Sequence, residues 1–242
     1  MANTHTEAKK LSQIGVNIPK ISPSLSSIKN EDTPAPITLD AVYEPNDRGR
    51  AWKLHNGFDQ RHATPSLKDC SMNKNWHDAY NSATSIIKRG GMVCLTGNRG
   101  TGKTQLAYHL VKEFFRANDT EWMQGPIKYA VYGTALGFFI AIKSTYGNSE
   151  ISEHDLIASL SNMPIMVIDE MQVRSDTAWE NSMLTHLIDS RYGKMLGTVL
   201  ISNQATQSFI NSIGPSIADR IRETGGIIEM NWESLRGKTT KG

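Results

Sequence analysis

A chain of 242 residues, 38% hydrophobic and 21% charged, has room for one α/β domain with an extension or for two small domains. Its net charge of +2 excludes a strongly basic, histone-like protein but permits a local basic patch. Two cysteines, Cys70 and Cys94, supply neither a disulfide framework nor a four-cysteine zinc site, and no apolar run reaches the roughly 18 residues of a membrane span.

The N-terminus lacks the apolar core of a signal peptide, so a cytoplasmic protein without membrane partners is expected. Residues 1–40 are rich in Ser, Pro, Asn and Lys, with Ile and Leu scattered around Pro19 and Pro23, the composition of a flexible arm. Trp52, Leu54 and Phe58 follow among charges and suit a segment that folds on a partner. The expected division is an N-terminal extension over 1–63, partly disordered and acting as a docking arm, and a globular domain over 64–242.

Within the globular part, a helix is predicted near 75–89. Met92–Thr96 then reads as a short buried strand, in which Cys94 is a small buried hydrophobe. Residues 97–104, Gly-Asn-Arg-Gly-Thr-Gly-Lys-Thr, fit the phosphate-binding pattern G-x-x-x-x-G-K-[ST]. Glycines 97, 100 and 102 allow a tight turn whose N–H groups point at an anion. Lys103 can reach the β- and γ-phosphates, and the Thr104 hydroxyl can ligate Mg²⁺. Leu106, Leu110, Val111 and Phe114 recur at helical spacing, so strand, loop and helix stand in the order the motif requires. The expected cradle for ATP is Gly97, Asn98, Arg99, Gly100, Thr101, Gly102, Lys103, Thr104 and Gln105.

Further along, Ile127–Tyr132 reads as a second strand, 134–145 and 153–161 as helices, and Pro164–Ile168 as a third strand. That strand ends in Asp169-Glu170, the Walker B pattern: Asp169 is placed to hold Mg²⁺ with Thr104, and Glu170 to polarise an attacking water. Residues 177–192 carry Trp179, Met183, Leu184, Leu187, Ile188 and Tyr192 as a helical stripe that core packing explains. Thr198–Ser202 is a fourth strand, and Asn203 at its tip is a candidate for holding the nucleophilic water or the γ-phosphate. Two short helices split near Gly214-Pro215, and Gly226–Asn231 is a fifth strand. Ile217 and Ile221 would face inward on the second of those helices, leaving Arg220 and Arg222 as either a solvated face or the source of an arginine finger. Strands alternating with helices predict an α/β fold, a five-stranded parallel sheet flanked by helices.

The run Lys-Ser-Thr-Tyr-Gly-Asn-Ser-Glu-Ile-Ser-Glu from Lys143, the Val-Ile-Asp-Glu strand end, and the tail from Gly214 through Asn-Trp-Glu-Ser-Leu-Arg resemble the DnaC type of replicative helicase loader. The resemblance covers about residues 64–238 and extends to the IstB transposition helpers and, more distantly, to DnaA initiators, all of the AAA+ class. It implies an AAA+ P-loop core without a separate helical lid, since the chain ends soon after Arg236. By the same resemblance Lys103, Thr104, Asp169 and Glu170 are the Walker residues, Asn203 is sensor 1, Arg220 is the arginine finger of the box VII helix, and Arg236 is a C-terminal sensor arginine. The helix around Phe138–Tyr146 stands where the family grips single-stranded DNA, with Lys143 and Tyr146 as contacts.

The activity implied is ATP hydrolysis that loads a hexameric replicative helicase onto single-stranded DNA, with self-association through the ATP site. The alternative is an IstB-like helper that binds target DNA and recruits a transposase. An adaptor that binds ATP without turnover and a small-molecule kinase are weaker rivals. The kinase would need an acceptor-binding lid.

Overall fold

The computed structural model describes Phe58, His62 and residues 73–118, 130–146 and 152–236, with the side chains of 115–118 and of Ala130 outside the description. The first helix, α1 (Lys74–Lys88), starts where the Asn73 side chain accepts the Trp76 N–H, a side-chain cap that satisfies one free donor of the first turn. It leads into β1 (Met92–Thr96), after which α2 (Lys103–Asn118) follows the glycine-rich loop. Next come β2 (Ala130–Thr134), α3 (Ala135–Lys143), α4 (Glu153–Ser161) and β3 (Ile165–Asp169). A 3-10 turn, Met171–Val173, precedes α5 (Ala178–Gly193), β4 (Gly197–Ile201), α6 (Thr206–Thr224) and β5 (Gly226–Glu229).

The five strands form one parallel sheet in the order β2-β3-β4-β1-β5. The three inner strands are buried along their whole length, as strands covered on both faces must be. Their side chains alternate between two apolar layers. Met92, Cys94, Met166, Ile168 and Leu200 face α3, α4, α5 and α6. Val93, Leu95, Ile165, Val167, Val199 and Ile201 face α1 and α2. Cys94 is fully buried among them, and burial pushes its thiol pKa far up, so it serves as a small hydrophobe.

Several expected boundaries moved. The second strand runs to Thr134 rather than Tyr132, because Thr134 pairs in register with Asp169 and also caps α3 by accepting the Gly137 N–H; residues 127–129 lie outside the description. The fifth strand stops at Glu229, where only β1 supports it. The split at Gly214-Pro215 is present inside α6: Gly214 has φ 78° and ψ 164°, and a Cβ there would meet nothing within 4 Å, so the backbone conformation alone asks for glycine. In α5, Leu184, Leu187 and Ile188 are buried as expected, but Trp179, Met183 and Tyr192 lie only half-buried at the rim of the core. Of the expected extension, Phe58 and His62 are described, and Phe58 is 1% exposed in the layer beneath α1 and α2. Among the described residues no helix is long and apolar enough to cross a membrane.

Candidate nucleotide site

The loop between β1 and α2 holds three left-handed glycines, Gly97 (φ 112°), Gly100 (φ 82°) and Gly102 (φ 89°). Space also demands glycine: a Cβ on Gly97 would lie 2.5 Å from the Met230 carbonyl oxygen, and one on Gly102 2.7 Å from Trp76 Nε1. Three loop carbonyls are held from outside. Gly100 O accepts from Leu235 N at 2.8 Å, Thr101 O from Trp232 Nε1 at 3.1 Å, and Gly102 O from Trp76 Nε1 at 3.2 Å. The segment after β5 therefore lies along the loop and fixes its shape.

Lys103 opens α2 and is 5% exposed. Its Nζ donates to Gly97 O at 2.9 Å and to Asn98 O at 2.6 Å. Burial pulls its pKa down to about 8; the Asp169 charge opposes that fall, and the Arg236 charge adds to it. A desolvated ammonium resting on carbonyls is suited to accept a phosphate as its counter-charge.

Across the sheet, Asp169 ends β3 and is buried. Its Oδ2 accepts from Thr104 Oγ1 at 2.7 Å and from Tyr132 OH at 3.1 Å, while Oδ1 accepts the Glu170 N–H at 2.6 Å. The hydroxyl of Thr104 and the carboxylate of Asp169 are hard oxygen donors, the set that suits Mg²⁺. Among the described residues there is no group of three or more His, Cys, Asp or Glu that could hold a metal ion.

Glu170 is exposed and left-handed, at φ 53° and ψ 41°. Such a conformation costs a non-glycine residue about 1–3 kcal/mol, and here two bonds hold it, the Asp169 cap and the Val173 N–H donating to Glu170 O at 2.9 Å. Asn203 follows β4, the strand between β3 and β1, so it stands between Asp169 and the glycine loop. Its N–H donates to Gln172 Oε1 at 3.1 Å, tying the tip of β4 to the turn after Glu170.

The remaining expected residues are dispersed. Asn98 and Arg99 are exposed on the loop. Gln105 is buried and turned to structure: its Nε2 lies 3.0 Å from His62 O and 3.0 Å from His109 Nε2. Arg236, exposed, follows Leu235, whose N–H donates to Gly100 O at 2.8 Å, so it stands beside the glycine loop, and its charge helps to lower the Lys103 pKa. Arg220 lies elsewhere. Its Nη2 is 3.0 Å from Asp189 Oδ1 on α5, its Nη1 donates to Ser216 O at 2.9 Å, and its guanidinium covers the Tyr192 ring at 5.5 Å. Its described contacts are with α5 and its own helix, not with the glycine loop.

Lys143 and Tyr146 are exposed and meet over Trp179. Lys143 Nζ stands 4.7 Å from the Trp179 ring, and Trp179 Nε1 donates to Tyr146 OH at 2.9 Å. A hydrogen bond with Glu153 is the main cause that raises the Tyr146 pKa. Sequence reasoning had put Trp179 in the core, and it passed over Tyr132, Trp76 and Gln172. Trp232 stood inside a quoted motif without a role.

No family model matches the chain. Over 202 residues it is 25% identical to the "Replicative helicase loader DnaC" of Escherichia coli strain K12, covering 79% of each chain. In structure it is similar to the crystal structure of the DnaC helicase loader, with a TM-score of 0.54 and 15% identity over 66% of this chain and 92% of that one. It is likewise similar to AMPPCP-bound DnaA from Aquifex aeolicus, with a TM-score of 0.55 and 16% identity over 68% of this chain; it spans 49% of that longer chain. The chain thus resembles the DnaC loaders in sequence, and its core has the AAA+ P-loop fold that DnaC and DnaA share.

Proposed function

We propose that this chain is an ATPase that loads a replicative helicase onto single-stranded DNA. The carrying observation is that Lys103, Thr104, Asp169, Glu170 and Asn203 all stand at the carboxyl ends of the three inner strands, in a chain that resembles the DnaC loaders over 79% of its length. Lys103 would meet the β- and γ-phosphates of ATP. Mg²⁺ held by Thr104 and Asp169 would supply further positive charge there. Glu170, exposed at the strand end, orients and polarises the attacking water, and Asn203 steadies it from the neighbouring strand. Arg236 adds charge beside the loop.

Arg220 would serve a second copy: its contacts lie with α5 and its own helix rather than with its own glycine loop, which is consistent with a finger supplied in trans to a site between protomers. Exposed Lys143 and Tyr146, with Trp179 between them, offer a cation and aromatic faces to a nucleic-acid strand. The extension over residues 1–63 is the docking arm for a hexameric helicase.

Co-purification from the host with ATP present tests this reading. A hexameric helicase recovered with wild-type protein is the expected result. With Glu170→Gln the complex should still form with ATP bound, while loading stops. Recovery of a transposase instead would overturn the loader assignment in favour of a transposition helper.

A further inference from the structure

Tyr132 lies on β2, the strand beside β3, in register with Val167. Its side chain runs along the sheet toward the strand end and donates to Asp169 Oδ2 at 3.1 Å. The same oxygen accepts the Thr104 hydroxyl at 2.7 Å. On the ring of Tyr132 lies Phe58, stacked at a centroid distance of 4.2 Å with 23° between planes. Phe58 is 1% exposed and is held edge-on by Tyr108 at 5.5 Å.

We propose that Tyr132 is a positioning residue for the metal-ligating carboxylate of Asp169, and that Phe58 fixes Tyr132 in turn. The inference rests on the ATPase reading given above. The Thr104 hydroxyl donates its hydrogen to Asp169 and keeps its oxygen lone pairs for a cation. Tyr132 donates to the same carboxylate oxygen from the neighbouring strand, and with the Glu170 N–H on Oδ1 it keeps the carboxylate plane fixed. Outer partners of this kind orient a ligand and set its basicity. A free phenol would swing, and the stacked Phe58 stops it. Phe58 belongs to the segment 1–63 proposed as the docking arm, so that segment reaches the core and touches Tyr132, one side chain away from Asp169.

The test uses the full chain, AMPPCP as a nucleotide that is not hydrolysed, and Mn²⁺ as a paramagnetic probe for the Mg²⁺ site. Free Mn²⁺ is read by electron paramagnetic resonance. Tyr132→Phe keeps the ring stack and removes the hydroxyl. We expect it to weaken Mn²⁺ binding to the nucleotide complex by roughly tenfold, with metal-free AMPPCP affinity and melting temperature near wild type. Phe58→Leu should weaken Mn²⁺ in the same sense by less. In an Asp169→Asn background, Tyr132→Phe should cost nothing further, since Tyr132 acts through that carboxylate. Mn²⁺ affinity of Tyr132→Phe within about twofold of wild type, beside normal wild-type binding, overturns the proposal alone. Absence of metal-dependent AMPPCP binding by the wild type brings it down together with the ATPase reading.

Discussion

The sheet carries a buried cation at each end, and the two are treated differently. At the amino ends of β3 and β4, Arg191 is 0% exposed, and its guanidinium donates to Leu160 O, Met163 O, Gly197 O and Thr198 Oγ1 at 2.7–3.1 Å. Burial pulls its pKa down, and among the described residues no carboxylate pairs with it. The carbonyls meet the demand of its donors, and it staples α4, α5 and two strands together. At the other end Lys103 has two carbonyls and, among the described residues, no ion pair. A guanidinium spreads its charge over a planar fork and can be satisfied by neutral oxygens. An ammonium is a point charge that still wants an anion. One end of the sheet is therefore satisfied by the chain's own neutral oxygens, and the other is suited to take an anion.

Four changes would break or sharpen this contrast. Arg191→Met should give the largest effect, about 3–5 kcal/mol of lost stability in urea unfolding, because several buried acceptors lose their donor together. The nucleotide affinity of the folded fraction should not change. Lys103→Ala should do the reverse, costing roughly 10²–10³ in ATP turnover while the urea midpoint holds or rises, since a desolvated charge is removed.

A pH titration gives the third. Burial depresses the Lys103 pKa to about 8, so below that value both the folded and unfolded chains hold the proton and the burial penalty is fully present. Between about 8 and its ordinary value of 10.5 the unfolded chain holds more protons, and stability gains with rising pH. Phosphates favour the ammonium, so nucleotide binding should take up almost no proton near pH 7 and close to one near pH 9, with affinity falling by up to about tenfold per pH unit above 8. Calorimetry in buffers of different ionisation heat reads this, and equal uptake at both pH values would refute it. The smallest effect is Glu170→Gly, which relieves a left-handed backbone and should add about 1 kcal/mol of stability while turnover is lost.

Much of this was legible from the chain because its signals are local. Gly97 to Thr104 and the run ending in Asp169-Glu170 announce themselves by spelling, and the helices and inner strands follow from spacing. What escaped depends on which residues meet in space. Tyr132 is an ordinary strand tyrosine until β2 lies beside β3. Trp76 and Trp232 are separated in sequence from the carbonyls they hold. Arg191 did leave a trace: it stands in phase with Leu184, Leu187 and Ile188 on the buried side of α5, and a charge in an apolar stripe marks a buried network. Trp179 shows the opposite error, since its helical phase suggested the core while its indole N–H reaches Tyr146 at the surface.

The stretch from Met230 to Arg236 has a practical consequence for anyone engineering this protein. It supplies the Met230 N–H to Thr96 O, the indole of Trp232 and the amide of Leu235 to the glycine turn, so it braces that turn. Cutting the polypeptide after Glu229, or splicing a fusion partner into that stretch, would remove those bonds and loosen the glycine turn without touching any of its own residues. Labels and tags belong beyond Arg236, where they leave those bonds intact.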